Sequence, residues 1–183
     1  MARIQYYVAS SLDGFIAQED DGLQWLFDAA DDPTTGEDAD YNAFYEQVTA
    51  IAVGATTYRI MLAHDRPWDY TGRPTWVFTH RELPVPDGAD VRFVSGSPAD
   101  HVDDLRAAAG DGNLWVLGGG DLASQFADAG FLDELIVTYV PAVLGTGIGL
   151  FARRIEGTLT LSKTEELTRG CVQSVYSLNV PSK

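Results

Sequence analysis

Two glycine-containing turns in the sequence have the composition of a binding site for phosphate groups. In the first, a predicted strand over residues 114–117 enters Gly118-Gly119-Gly120, and a helix is predicted over residues 121–129. In the second, a short apolar strand ends at Gly54, and a helix begins at Thr56 and Thr57. The N-terminus of a helix offers unpaired N–H groups and a positive dipole end, and glycine lets an anion approach the backbone. These turns favour a pyrophosphate site, although a tight turn that requires positive φ explains the glycines equally well.

A third strand end carries side chains that suit a phosphate monoester. Thr79, His80 and Arg81 follow a predicted strand over residues 75–78. A hydroxyl, an imidazole and a guanidinium can together hold a 2′-phosphate, and the alternative interpretation is an exposed loop. Because ligands bind at the carboxyl ends of parallel strands, we expect the three strand ends to contribute to one site.

The elements that must position these residues alternate along the chain. Strands are predicted over residues 4–9, 15–17, 50–53, 75–78, 91–94, 114–117 and 135–140, and helices over residues 23–30, 41–48, 56–62, 98–109 and 121–129. Two β-rich runs, residues 158–167 and 172–180, predict a hairpin. The pattern predicts an α/β fold over residues 1–183 as a single domain. The fold is expected to have three layers, with helices on both faces of a doubly wound sheet. That sheet is expected to be mixed and mostly parallel, with a C-terminal antiparallel hairpin.

Composition excludes several classes of protein. The 183 residues include 27 acidic and 12 basic ones, for a net charge of −15, which argues against partners such as nucleic acid or an anionic membrane. One cysteine, Cys171, excludes an internal disulfide and a multi-cysteine zinc site, and the three histidines lack metal-ligand spacing, so no metal is expected. Residues 135–152 are uncharged, but Pro141 and three glycines predict a strand followed by a loop rather than a membrane helix. We see no signal peptide and expect a cytoplasmic protein.

Several short blocks, in order along the chain, resemble the dihydrofolate-reductase-like superfamily, and within it the riboflavin-biosynthesis reductases that form the C-terminal half of bifunctional deaminase–reductases. The blocks are Ala9-Ser10-Ser11-Leu12-Asp13-Gly14-Phe15-Ile16-Ala17, residues 54–58, residues 117–122, residues 141–147 and Leu150-Phe151. The resemblance implies a dihydrofolate-reductase-like fold and an NADPH-dependent reductase acting on a small-molecule substrate. The named enzymes of that branch reduce 5-amino-6-(5-phosphoribosylamino)uracil.

Carried over by position, the resemblance assigns most of the cofactor site. Ala9 and Ile16 would flank the nicotinamide through main-chain atoms. The phosphates would lie along Gly54, Thr56 and Thr57, and the 2′-phosphate beside Thr79, His80 and Arg81. The pyrophosphate would lie above Leu117, Gly118, Gly119, Gly120, Asp121 and Leu122. One departure matters: a basic residue often follows the first glycine in this family, whereas this chain has Ala55.

The substrate side of the site is expected around Asp40, Phe44 and Trp25. In dihydrofolate reductases an acid begins the first long helix with an aromatic residue one turn on, and Asp40 and Phe44 have that i, i+4 spacing. A carboxyl group against aromatic rings has a raised pKa and can pass a proton to the substrate, although Asp40 would equally serve as a helix cap. Trp25, in the acid-rich stretch of residues 18–40, is the tryptophan expected to contact the substrate.

Alternatives remain open for the substrate, and the assembly is an expectation. No Lys or Arg occurs between Arg3 and Arg59, so the clamps for a phosphorylated substrate would have to come from Arg66, Arg153, Arg154 or Arg169. The alternatives are a dihydrofolate or pterin reductase and a non-catalytic NADP-binding module. The resemblance implies a homodimer. The long C-terminal edge and the apolar residues 135–144 also favour one, since both need cover.

Overall fold

The computed structural model describes residues 2–30, 39–63 and 68–179. Within these residues the chain forms ten strands and five α-helices. The strands are β1 (Ile4–Ser11), β2 (Phe15–Ala17), β3 (Val48–Gly54), β4 (Thr75–Phe78), β5 (Val91–Val94), β6 (Asn113–Gly118), β7 (Glu134–Val140), β8 (Ile148–Gly149), β9 (Thr158–Glu166) and β10 (Val172–Asn179). The helices are α1 (Gln24–Ala30), α2 (Ala39–Gln47), α3 (Ala55–Ala63), α4 (Val102–Ala109) and α5 (Gly120–Asp128).

Eight strands form one sheet in the order β5-β4-β3-β6-β1-β7-β10-β9. The first six strands in this order pair in parallel, and β10 pairs antiparallel with both β7 and β9. The predicted mixed, mostly parallel sheet with a C-terminal antiparallel hairpin is therefore confirmed. Because parallel strands end at the same edge, the residues that follow β1, β3, β4 and β6 are neighbours.

Helices cover both faces of the sheet. On one face, Ile4, Tyr6, Leu114 and Val116 point into the largest buried cluster, which also contains the apolar faces of α4 and α5. The alternate residues of the same strands point to the opposite face, where α1, α2 and α3 pack. We refer to these as the α4–α5 face and the α1–α3 face. The arrangement follows from the near-continuous apolar strands, which must be buried on both sides.

Two local expectations differ from the structure. The helix predicted to follow Ser97 is divided: Pro98–Asp100 is one turn of 3-10 helix, and α4 begins after His101. The carboxylate of Asp100 accepts hydrogen bonds from the backbone N–H and the hydroxyl of Ser97, both at 2.8 Å, which closes the short turn on itself. The second difference is β8, which no sequence pattern predicted and which pairs with the predicted strand β2 in a small sheet.

The strand within the apolar segment 135–144 is covered inside this chain, whereas Val143 in the loop after it is 71% exposed. β7 lies inside the sheet, between β1 and β10, and Leu135, Ile136 and Val137 are all buried. For these strand residues the argument for a dimer was therefore wrong, and the exposed residues that still favour one are Val143 and those of the edge strand β9. The predicted strand and loop over the uncharged segment are confirmed. Among the helices described, none has both the length and the hydropathy needed to cross a membrane.

Candidate functional site

The two predicted phosphate-binding turns are in direct contact. The backbone N–H of Gly119 donates a hydrogen bond to the hydroxyl of Thr57, with 3.3 Å between the two heavy atoms. Gly54 ends β3 next to β6, and its α-carbon faces the carbonyl of Gly118. The N-termini of α3 and α5 therefore lie side by side at the carboxyl edge of the sheet. Two helix dipoles and their unpaired N–H groups converge there on one surface.

Gly119 and Gly120 are required for different structural reasons. Gly119 has φ 40° and ψ 144°, a conformation that side chains rarely adopt, and a Cβ there would meet only the Thr57 hydroxyl, at 3.8 Å. Gly120, by contrast, is packed against backbone, because a Cβ would collide with the carbonyl of Gly149 and lie 3.0 Å from that of Leu150. Gly119 is thus the position at which a missing side chain leaves the backbone open to a ligand. A dinucleotide pyrophosphate fits such a cradle.

The predicted 2′-phosphate residues lie one strand further along the same edge. β4 pairs with β3, so Thr79, His80 and Arg81 follow the strand next to Gly54. The Thr79 hydroxyl accepts a hydrogen bond from the backbone N–H of Arg81 at 3.1 Å, which fixes the turn. His80 and Arg81 are exposed, and so is Arg59 on α3. Within the described part of the chain neither arginine forms an ion pair, so both guanidinium groups are available to an anion.

Three of the predicted pyrophosphate residues turn their side chains elsewhere. Leu122 is buried in the core of the α4–α5 face, and Leu117 packs on the α1–α3 face. The carboxylate of Asp121 accepts hydrogen bonds from Arg153 at 2.8 Å and from Gln125 at 2.7 Å. These residues can therefore contribute backbone groups to a ligand, while Asp121 is held away by its partners.

The expected nicotinamide residues are positioned by Asp13, to which the sequence analysis assigned no role. Asp13 accepts hydrogen bonds from the Ser11 hydroxyl at 2.6 Å and from the backbone N–H groups of Leu144 and Gly145 at 3.1 and 2.7 Å. The Ser11 hydrogen bond, followed by those from the two backbone groups, lowers the pKa of the Asp13 carboxyl. Asp13 thus ties the loop after β7 to the turn between β1 and β2. The sequence signal was available, since a Ser-x-Asp-Gly turn puts an acid beside its own hydroxyl donor.

Ala9 and Ile16 lie on either side of this turn. Ala9 in β1 packs against a buried cluster that we call the Trp25 cluster, formed by Trp25, Leu26, Val140 and Cys171. The β2 strand that contains Ile16 pairs with β8, and the segment after β8 contacts the glycine turn through a hydrogen bond from Ala152 N–H to the Gly120 carbonyl. The predicted nicotinamide and pyrophosphate residues are therefore joined through β8.

Aromatic rings line the α1–α3 face beside this position. The rings of Tyr7 and Phe44 are 4.6 Å apart between centroids, and Phe44 also contacts Trp115, at 5.3 Å. Tyr41, one helical turn before Tyr45, stacks on it and lies 6.0 Å from Tyr7. Burial, with the neighbouring Tyr45, raises the pKa of the Tyr41 phenol, so this hydroxyl stays protonated near neutral pH. The structure thus places Phe44 in an aromatic wall.

The other two substrate-side residues have different outcomes. Trp25 is buried in its cluster, and its indole N–H has no hydrogen-bond partner among the residues that the structure describes. Asp40 lies within α2, which begins at Ala39, so its backbone is helical and the interpretation of Asp40 as the residue that precedes the helix was wrong. The Asp40 side chain lies outside the described residues, and its catalytic role stays a prediction.

Comparisons with known proteins give the same picture. The sequence model of the RibD C-terminal domain matches residues 65–173. The protein YwjB of Bacillus subtilis, itself uncharacterized, is 32% identical over 169 residues, which are 88% of this chain and 93% of that protein. A putative riboflavin biosynthesis protein from Shewanella sp. PV-4 superposes with a TM-score of 0.80 and 30% identity, covering 98% of this chain and 99% of that one.

Two more distant structures bear on the fold alone. A Thermotoga maritima deaminase and 5-amino-6-(5-phosphoribosylamino)uracil reductase has a TM-score of 0.68 at 16% identity, over 97% of this chain and 57% of that one. Dihydrofolate reductase from Enterococcus faecalis, complexed with NADP(H), has a TM-score of 0.62 at 19% identity, over 97% and 96%. The chain therefore belongs to the RibD C-terminal domain family and has the dihydrofolate-reductase-like fold that its sequence predicted.

Proposed function

We propose that this protein is an NADPH-dependent reductase that transfers hydride from the nicotinamide to an electrophilic carbon of a small heterocyclic substrate. The observation that carries the proposal is the contact between Gly119 and Thr57, which joins two helix N-termini at the edge where this fold binds ligands. The family match to the RibD C-terminal domain supports a reductase, and the reduction of 5-amino-6-(5-phosphoribosylamino)uracil is the reaction that we propose first.

Residues of the chain can be assigned to the phosphates and to the nicotinamide of the cofactor. The pyrophosphate would lie over Gly119, held by the N–H groups at the start of α5, and the Thr56 hydroxyl would face the same anion. Arg59 and Arg81 would neutralise the phosphates, which makes up for the alanine at position 55. When bound, NADPH supplies the hydride. The protein's part is to orient the nicotinamide beside Ala9 and to exclude water with the loop that Asp13 holds.

The substrate is proposed to lie against the aromatic wall of Tyr7, Tyr41 and Phe44. A flat ring stacks favourably on such a surface, and a proton donor at its edge would complete the reduction. We propose Asp40 for that proton transfer, because it lies one helical turn before Phe44 on α2.

One observation favours the alternative of a dihydrofolate or pterin reductase. Of the four arginines suggested for a substrate phosphate, Arg153 is engaged by Asp121 and Asp128 at 2.8 Å each. Arg154 and Arg169 are exposed, and Arg66 lies outside the described residues. A substrate without a phosphate would need none of them. A protein that only binds NADP is the remaining alternative, and turnover distinguishes it.

Two measurements test the proposal. NADPH and NADH are titrated against the protein by following tryptophan fluorescence, and NADPH consumption is then followed with the ribosylaminouracil phosphate and with dihydrofolate. We expect NADPH to bind more tightly than NADH and one substrate to be reduced. Binding without turnover of either substrate would leave an NADP-binding module, and absence of NADPH binding would overturn the reductase proposal. Gly119→Val, in which a branched side chain fills the cradle, is the matched negative control.

A further inference from the structure

A row of three polar side chains crosses the sheet on the α1–α3 face. Tyr7 in β1, Thr138 in β7 and Gln173 in β10 are 8%, 3% and 6% exposed. The Gln173 side-chain amide donates one hydrogen bond to the Tyr7 hydroxyl, at 3.0 Å, and another to the Thr138 hydroxyl, at 3.2 Å. We call these three residues the polar row.

The polar row lies between two apolar clusters rather than inside one. On one side are Tyr7 itself, Trp115 and the aromatic residues of α2, and on the other is the Trp25 cluster. A sheet face that only needed to be buried would carry aliphatic residues at these positions, as Ile136 and Val140 do on either side of Thr138. Three adjacent polar residues there replace apolar packing that the fold would otherwise make.

The row is next to the expected position of the nicotinamide. Thr138 is the register partner of Ala9 in β1 and of Gln173 in β10. Two strand spacings, about 10 Å, therefore separate the backbones of Gln173 and Ala9 across the sheet. The Gln173 amide reaches back across part of that distance to contact Tyr7. The Gln173 amide and Ala9 therefore lie on the same face of the sheet, with only Thr138 between them.

Half of the Gln173 amide is unused. Its two N–H groups are taken by the hydroxyls, and no described residue donates a hydrogen bond to its oxygen. The Gln173 amide therefore has an acceptor that no described group of the protein uses and that a ligand N–H group can pair with. The Tyr41 hydroxyl beside Tyr7 is also without a partner among the described residues.

We propose that the polar row is the specificity-determining subsite for an uncharged planar heterocycle with an amide edge, and that Gln173 reads that edge. This inference rests on the proposed reductase function and assigns the part of the substrate that the site recognises. A carboxylate at this position would favour a protonated ring, whereas a neutral amide pairs with a neutral lactam, which offers N–H and C=O groups side by side.

The test compares two probes on matched variants by calorimetry. Lumazine is a flat, neutral bicyclic lactam with ring N–H groups, and 1,3-dimethyllumazine keeps the ring system but lacks those donors. Gln173→Leu removes the amide, and Gln47→Leu makes the same change at an exposed position on α2. We expect lumazine to bind the native protein and Gln47→Leu equally, and to bind Gln173→Leu about tenfold more weakly. The affinity for dimethyllumazine should be low and the same in all three proteins.

Each other outcome contradicts the assignment. Equal lumazine affinity in native protein and Gln173→Leu, or equal weakening of both probes by that variant, would give Gln173 a structural role only. If Gln173→Leu does not fold, Thr138→Val keeps the side-chain shape and removes one hydrogen bond that orients the amide, and it should weaken lumazine alone. The probes are titrated with and without NADPH. If the native protein does not bind NADPH, that result counts against the reductase proposal. Lumazine binding to the cofactor-free protein still tests the polar row.

Discussion

Thr57→Val isolates the contact on which the cofactor site depends. Valine keeps the shape of threonine, including the methyl group that would touch a Cβ at Gly118, but it cannot accept the hydrogen bond from Gly119 N–H. That bond is 3.3 Å long and half-buried, so its loss should lower the free energy of unfolding by about 1 kcal/mol. For a domain of this size the melting temperature should fall by about 2–4 °C.

The same loss should weaken NADPH binding, because the glycine turn is no longer tied to α3. A change of about 1 kcal/mol corresponds to an affinity roughly fivefold lower. Thermal unfolding by circular dichroism and NADPH titration by tryptophan fluorescence give the two numbers. Thr57→Ser retains the hydroxyl and should bind NADPH normally. If Thr57→Val and Thr57→Ser had the same NADPH affinity, the hydroxyl would not organise the site.

Three further predictions concern the glycine turn, the Asp13 clamp and the assembly. Gly119→Ala should lower NADPH affinity at least tenfold, whereas Gly120→Ala should mainly destabilise the fold, by about 1–3 kcal/mol, as measured by titration and urea unfolding. Asp13→Asn should be less stable than the native protein. Since the folded-state pKa is lowered, this difference should be complete above the ordinary pKa of 3.8 and shrink as the pH falls through the lowered one, which unfolding at several pH values would show. We propose a homodimer through β9, where Leu159 and Leu161 are 41% and 54% exposed, and expect sedimentation equilibrium to show tighter association as salt screens the negative charge. A monomer at both low and moderate salt would refute it.

The fold was predictable because its signals are local. The strands β4 and β5 match their predicted bounds, and every other strand of the large sheet was found to within a few residues. Short apolar runs that end at glycine, separated by amphipathic segments, leave few arrangements other than a doubly wound sheet. The strand β8 and its pairing with β2 were not predictable, because the two residues Ile148–Gly149 carry no periodic signal.

Much of the site depends on contacts between residues far apart in the sequence. The glycine turns were recognisable alone, but the bond between Thr57 and Gly119 spans 62 positions and appears only in the folded chain. The pairing of Asp121 with Arg153 spans 32 positions, and it removes a side chain that the sequence analysis had assigned to the pyrophosphate. Spacing along a chain reveals helix faces and turns, whereas such pairings follow from sheet order and register.

The acidity of the chain is compatible with an anionic cofactor because electrostatic interactions in salt are short-ranged. The net charge of −15 would repel NADPH at a distance, but at physiological ionic strength charges further than about 8 Å are largely screened. Within that distance the local charge differs from the net charge of the chain. Arg153 holds the carboxylates of Asp121 and Asp128, and the N-termini of α3 and α5 point their positive ends at the glycine turn. Arg59 and Arg81 are exposed on the same edge, so cationic side chains and helix N-termini lie near the proposed phosphates, and the surplus of acid elsewhere on the surface need not oppose binding.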